Sequence, residues 1–204
     1  MRLYLLFLLF AAVLSAVTET ERIRNPHVTA VEYTLAPGDI LTMESKPAVT
    51  VYFDSGTLTG GGEFANKKLT VERGQAVFTP AGPLTLRNAG SAPIHFVRVE
   101  FPGAGATQTW GAAGLAPNYK VVLENNYARV YDIRIPAHAD EQQHTHHDRV
   151  VVCLSGAKLK HEMPDGSEET ATLETGEIAW RHGATHIGHN LGDTPLWVIA
   201  VEPK

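Results

Sequence analysis

Beyond its first sixteen residues, the chain alternates short apolar, β-branched runs with turn residues. Val49–Phe53, Leu69–Val71, Ala76–Phe78 and His95–Val99 have the composition of strands in the first half. Ala128–Ile135, Val150–Leu154, Ala157–His161, Thr170–Leu173 and Leu196–Glu202 do so in the second. Gly60-Gly61-Gly62 and Pro164-Asp165-Gly166 fall at corresponding places and predict hairpin turns. No run in this part of the chain sustains a 3.6-residue period, so the pattern predicts an all-β protein.

The pattern also repeats. Gly74-Gln-Ala-Val-Phe78 matches Gly176-Glu-Ile-Ala-Trp180, Asn88-Ala-Gly90 matches Asn190-Leu-Gly192, and the run Gly90 to Glu100 matches Gly192 to Glu202, all at one offset of 102 residues. Two related modules follow, 27–102 and 120–204, joined by a Gly/Ala/Pro-rich linker over 103–119. Closing six to eight antiparallel strands into a small barrel is one way for each module to hide its sheet edges around a ligand-sized cavity.

Arg2 followed by the apolar run Leu3–Leu14 and the small residues Ser15 and Ala16 reads as a secretory signal peptide over 1–16, so the chain is expected to be exported, periplasmic or secreted. The run is shorter than the ~20 residues a membrane-spanning helix needs, and no membrane association is expected after cleavage. The remaining chain carries 16 basic and 22 acidic residues, a net charge near −6. That balance argues against nucleic acid or an anionic membrane surface as partner. The lone Cys153, inside Val150–Leu154, can form no internal disulfide and reads as a buried thiol.

Eight of the ten histidines lie between His138 and His189. In a strand, residues i and i+2 face the same way about 6.7 Å apart, so His144 and His146 offer two imidazoles to one point. His186, forty residues on, supplies a third from a later strand. Neutral imidazoles suit Zn, Fe, Mn, Ni or Cu, and three protein ligands leave positions open for reaction. The expected cofactor is therefore one divalent transition metal ion per chain. Asp148 shares the parity of His144 and His146 and could be a weak ligand, accept an imidazole N–H, or stay a surface carboxylate paired with Arg149, and Asn190 and His189 lie near His186 for a supporting role. His147 and His189 are also candidates for a fourth ligand. Arg149, Arg181, Gln142 and Trp180 flank the motifs and could line a cavity mouth, Arg149 as a carboxylate contact, or else form a solvated rim and, for Trp180, a core aromatic.

These residues resemble the two motifs of the cupin superfamily, and the two modules together resemble a bicupin. His144 and His146 match the HxH of the first motif and Gly156 its closing glycine, while Gly176, Gly183, His186 and Asn190 match the second. The resemblance implies two tandem jelly-roll barrels and a metal in the C-terminal one. The departures matter too. His138 stands for the first glycine, Arg181 for the proline, and the motif's Glu ligand is missing, because its position falls on Arg149, Val150 or Val151. His144-Thr-His-His-Asp148 is similar to a branch of small cupins whose motif reads HxHPD and also lacks the Glu, with His147 in place of the proline.

At the matching offsets the N-terminal module shows Glu44, Lys46 and Leu84, which cannot form a three-ligand cage, and it is expected to be metal-free. Two classes of function stay open. One is a metal-dependent enzyme, dioxygenase- or isomerase-like, acting on a small molecule at the three-His site. The other is a non-catalytic cupin that binds or senses a small ligand. No general base or nucleophile declares itself, and a homodimer is compatible with either reading.

Overall fold

The computed structural model describes residues 17–61, 67–103 and 116–204. The expected signal peptide, the centre of the linker and part of the Gly60–Gly62 turn lie outside the described residues. Every described element is a strand.

The first unit contains nine strands, one more than the largest number expected from sequence: β1 (Thr18–Arg24), β2 (Thr29–Leu35), β3 (Ile40–Ser45), β4 (Ala48–Tyr52), β5 (Gly56–Gly60), β6 (Lys68–Val71), β7 (Ala76–Thr79), β8 (Gly82–Asn88) and β9 (Ile94–Glu100). They form two antiparallel sheets ordered β1-β2-β9-β4-β7 and β3-β8-β5-β6. The second unit repeats the plan with β10 (Tyr119–Glu124), β11 (Ala128–Ile135), β12 (His144–His146), β13 (Arg149–Ser155), β14 (Ala157–Glu162), β15 (Glu168–Leu173), β16 (Ile178–Arg181), β17 (Ala184–Asn190) and β18 (Leu196–Pro203). Its sheets, β10-β11-β18-β13-β16 and β12-β17-β14-β15, have the same order element for element. The strands missing from the sequence reading are mostly those with few apolar side chains, such as Thr18–Arg24, which is exposed along nearly all its length.

Strand parity divides the apolar residues among three cores. Along β13, Val151 and Cys153 face the interior of their own barrel, whereas Val150, Val152 and Leu154 face the other way. β4 and β9 behave likewise in the first unit. The outward sets meet: Val49, Val51, Val97 and Val99 pack with Val150, Val152, Ile199 and Val201 in one continuous buried cluster between the two five-stranded sheets. At the margins β1 lies against β16, and β10 against β7. Cys153 is buried, and burial pushes its thiol up to about 12.

The turns follow the sequence signals. Gly166 has φ 81° in the Pro164-Asp165-Gly166 turn. His138 has φ 59°, matching Gly38 at φ 87° in the first unit, so the left-handed turn survives replacement of its glycine.

The interior of the N-terminal barrel corrects one expected correspondence. His144 pairs with His186 across β12 and β17, and the equivalent cross-strand pair is Met43 with Leu84. The counterparts of His144 and His146 are therefore Met43 and Ser45, not Glu44 and Lys46. Glu44 is exposed because its parity points it outward, and Lys46 lies beyond the strand's end with its amine in solvent. Arg98 is fully buried beside these positions, where the second unit has Ala200. Its guanidinium donates to Ser45 Oγ at 2.6 Å and Thr50 Oγ1 at 3.2 Å, while Nε finds no acceptor.

Candidate metal centre

The two strands that carry the three histidines fix their convergence. His144 and His146 alternate inward on β12 around exposed Thr145, and His186 sits on β17 directly opposite His144. All three are buried, at 2%, 4% and 5% exposure. One nitrogen from each lies within 4.8 Å of the others, and His144 Nε2 and His146 Nε2 are 2.9 Å apart. Neighbouring ligands of one ion with bonds of ~2.0–2.1 Å are about 3 Å apart, so the His144–His146 spacing suits a single ion, and the widest pair closes on it with a small side-chain shift.

The backbone sets the tautomer of His144. Its Nδ1–H donates to the carbonyl of Gln142 at 2.8 Å, which leaves the Nε2 lone pair facing the cluster. Burial holds His146 far below the ordinary imidazole range, helped by the positive charge of Arg149. Burial also pushes His186 down to about 3, followed by repulsion from His161, His144 and Arg149. Such imidazoles stay neutral at ordinary pH, which ligation requires.

Three further groups complete the site, and none stood out in the sequence. Tyr119, the first residue of β10, places its hydroxyl 3.1 Å from both His144 Nε2 and His146 Nε2. Burial raises its phenol well above the usual value, so it stays protonated. Glu141, in the loop before β12, is nearly buried, with a side-chain exposure of 4%. Its Oε1 accepts from Asn118 Nδ2 at 2.7 Å, and its Oε2 lies 3.9 Å from His144 Nε2. Burial raises its carboxyl, against the Asn118 bond, which lowers it. It therefore brings a carboxylate to the histidines from a position unrelated to the motif's missing Glu. Gly188 makes the room: a Cβ there would lie 2.1 Å from Glu141 Oε2. His161 on β14 stacks on His186 with ring centres 4.4 Å apart, and its inward parity with Leu159 was the one signal available for it.

The other expected site residues divide. Arg149 and Arg181 line a cavity of about 250 Å³ that opens beside His146 and His186. Burial pulls the Arg149 guanidinium below its usual value. Gln142 contributes its carbonyl to His144, and its side-chain position is exposed. Trp180 is not at the cavity. It packs on the inter-barrel cluster and stacks on His27, because its parity on β16 faces the first unit. Asp148 accepts from Gly183 N at 2.7 Å and faces His182, so it braces the corner and touches none of the three histidines. His189, three residues past His186, points to the opposite face and pairs with Asp140 at 2.7 Å. His147 is exposed, and its backbone N–H reaches Glu202 Oε1.

Asn190 is a backbone clamp. Its amide donates to the carbonyls of Ile135, Pro136 and Thr194 and accepts from Gly192 N. Asn88 repeats the arrangement in the barrel without the histidines, donating to Leu35 O and Ala92 O and accepting from Gly90 N, so the role is structural.

No family model and no curated relative matches the chain. Solved structures do. A cupin 2 conserved barrel domain protein from Leptotrichia buccalis superposes with a TM-score of 0.58 at 14% identity, over 96% of this chain and 93% of that one. The fold is the cupin barrel. A variant of the salicylate 1,2-dioxygenase of Pseudoaminobacter salicylatoxidans aligns with a TM-score of 0.58 at 14% identity, over 87% and 71% of the two chains. The oxalate decarboxylase of Bacillus subtilis, from a study of its Mn(II) centres, aligns at 0.57 and 14% identity, over 91% and 72%. At such identities the likeness concerns the cupin fold alone.

Proposed function

We propose that this chain is an exported bicupin whose C-terminal barrel binds one divalent transition ion through His144, His146 and His186 and acts as a metal-dependent enzyme on a small molecule. The observation that carries the reading is the buried cluster of three imidazoles with the His144 lone pair fixed inward by the Gln142 carbonyl. The residues fit a borderline transition ion such as Zn, Fe, Mn, Ni or Cu, since the donors are imidazole nitrogens with one carboxylate nearby. When bound, a redox ion of this kind supports oxygen or isomerase chemistry, and Zn activates water.

The chain's own groups provide the rest. Tyr119 keeps a proton at its hydroxyl beside the imidazoles, and Glu141 presents Oε2 to the cavity as a proton acceptor or additional donor atom. Proton-handling groups next to the cluster favour turnover over simple storage. Two of the structural neighbours are by name a dioxygenase and a Mn(II) decarboxylase, which supports the same direction. The run Leu3–Leu14 with Ser15 and Ala16 supports export.

Elemental analysis of protein recovered from its native compartment tests the site: one metal per chain is expected, lost in the His144→Ala, His146→Ala and His186→Ala variants. Two metals per chain, or full loading in the triple variant, overturns it. Turnover is tested by following O₂ uptake, hydrolysis and isomerisation across small acids, thiols and diketones. Metal-dependent thermal stabilisation by some of these compounds without any turnover would select the non-catalytic binding cupin instead.

A further inference from the structure

The charged side chains lining the C-terminal cavity are Arg149, Arg181, Glu141 and Glu169, two of each sign. A divalent ion held by the three imidazoles would add two positive charges to this lining. The cations are not equivalent. Arg181 is directed outward, with Nη2 on Glu177 Oε1 at 2.6 Å and nearly half its side chain in solvent. Arg149 is half-buried, with Glu202 and Asp148 as its nearest attracting carboxylates, yet among the described residues no carboxylate oxygen comes within 4.0 Å of it. Its polar contacts are two long ones from Nη1, to His147 O at 3.3 Å and His182 O at 3.4 Å.

A guanidinium offers five N–H donors in a planar fork, so most of the donor set of this cavity-lining residue is uncommitted. A half-buried cation with no carboxylate in hydrogen-bond reach gains from an anion brought against it. The wall of the same cavity is apolar, formed by Leu159, Leu173, Leu196 and Val198 among others. Its volume is at the small end for ligand sites.

We propose that the cavity takes a small organic carboxylate, held by the Arg149 guanidinium with its hydrocarbon part against the Leu159, Leu173, Leu196 and Val198 wall. This deepens the metal-centre reading and rests on it for the added positive charge. Arg149 is a binding residue in this scheme: the planar fork matches a carboxylate in a two-pronged contact, which a neutral amide of the same shape cannot reproduce. The chain thus selects by charge at one end and by apolar area at the other.

The test uses full-length protein loaded with zinc and the probes butyrate and benzoate against butyramide and benzamide, followed by calorimetry. Each acid is expected to bind at least tenfold more tightly than its amide. Arg149→Gln should keep its zinc and lose about 10- to 100-fold in acid affinity, the range for removing a hydrogen bond to a charged group. Arg149→Lys, which keeps the charge without the fork, should fall between the two and guards against a misfolded Gln variant. Equal binding of acid and amide, no acid binding at millimolar concentration, or undiminished acid binding in Arg149→Gln overturns the proposal. If the wild-type chain takes up no zinc but still prefers acids through Arg149, the ligand class stands and the metal reading falls.

Discussion

Gly188→Ala is a small perturbation with a calculable outcome. The added Cβ would lie 2.1 Å from Glu141 Oε2, 3.1 Å from its Cδ and 3.5 Å from its Cγ. A comfortable C···O approach is about 3.3 Å, so the carboxylate must retreat by roughly 1 Å. The backbone cannot retreat with it, because Glu141 N donates to the carbonyl of Gly188 itself at 2.8 Å. The side chain must swing away, giving up its bond from Asn118 Nδ2. A hydrogen bond to a charged group is worth ~1.5–3 kcal/mol. Replacing glycine within a strand returns about 0.5–1 kcal/mol. The net loss is about 1–2 kcal/mol, which for a chain of this length lowers Tm by roughly 2–8 °C. Zinc affinity should fall about 10- to 100-fold, as for a residue that supports a ligand. The assay is thermal unfolding without metal and competitive zinc titration, run on Gly188→Ala, Glu141→Ala and the double variant. In the Glu141→Ala background the alanine meets no carboxylate and should cost less than ~0.5 kcal/mol. An unchanged Tm in Gly188→Ala, or the same penalty in both backgrounds, would refute the clash with Glu141.

Because burial pushes His186 down to about 3, against ~6.5 in an unfolded chain, the unfolded state takes a proton that the folded state refuses. Metal-free stability should therefore rise as pH increases from 3 to 6.5 and level off above, and urea midpoints at pH 5 and 7 that coincide would contradict this. Asn190→Ala and Asn88→Ala each remove a clamp on buried carbonyls and should each cost roughly 3 kcal/mol, read as matching drops in urea midpoint; a loss confined to Asn190 would mean that it has a role beyond the clamp. Arg98→Met replaces a buried, incompletely bonded cation by an apolar side chain and should leave stability unchanged or raise it by up to ~4 kcal/mol, read as the urea midpoint, whereas a marked fall would show that the guanidinium is compensated.

The repeat and the histidines were legible because each rests on a short-range rule. One offset of 102 residues exposed the duplication, and the parity of His144 and His146 placed both imidazoles on one face. The alternation in Val150–Leu154 also signalled strand, although it does not say that one of its faces would meet a second barrel. Trp180 had two readings for that reason: an aromatic beside a motif is indistinguishable from a cavity residue until the covering sheet is known, and its packing is that of a core aromatic. Tyr119 and Glu141 were invisible for a different reason. Each reaches the histidines through the three-dimensional pairing of a neighbouring strand or loop, and no spacing in the chain records that approach. Counting along the motif gave Glu44 and Lys46 as the counterparts of His144 and His146, whereas hydrogen-bond register gives Met43 and Ser45. The loop between the compared strands had changed length by one residue, and one residue inverts facing in a strand.

The face-to-face packing of the two five-stranded sheets has an evolutionary consequence. Each barrel lends the other the cover that an isolated copy would need from a separate subunit, so the halves answer to different constraints. Inside the N-terminal barrel, a guanidinium lies beside the counterparts of His144 and His146. Substitutions at Val49, Val51, Val97 or Val99 are judged by the half that carries the histidines, because those side chains form the other wall of its foundation. The half without the three-histidine cluster is free to drift within and bound to stay fixed without. Any association between whole chains would have to recruit a surface other than this one, which each molecule has already spent on itself.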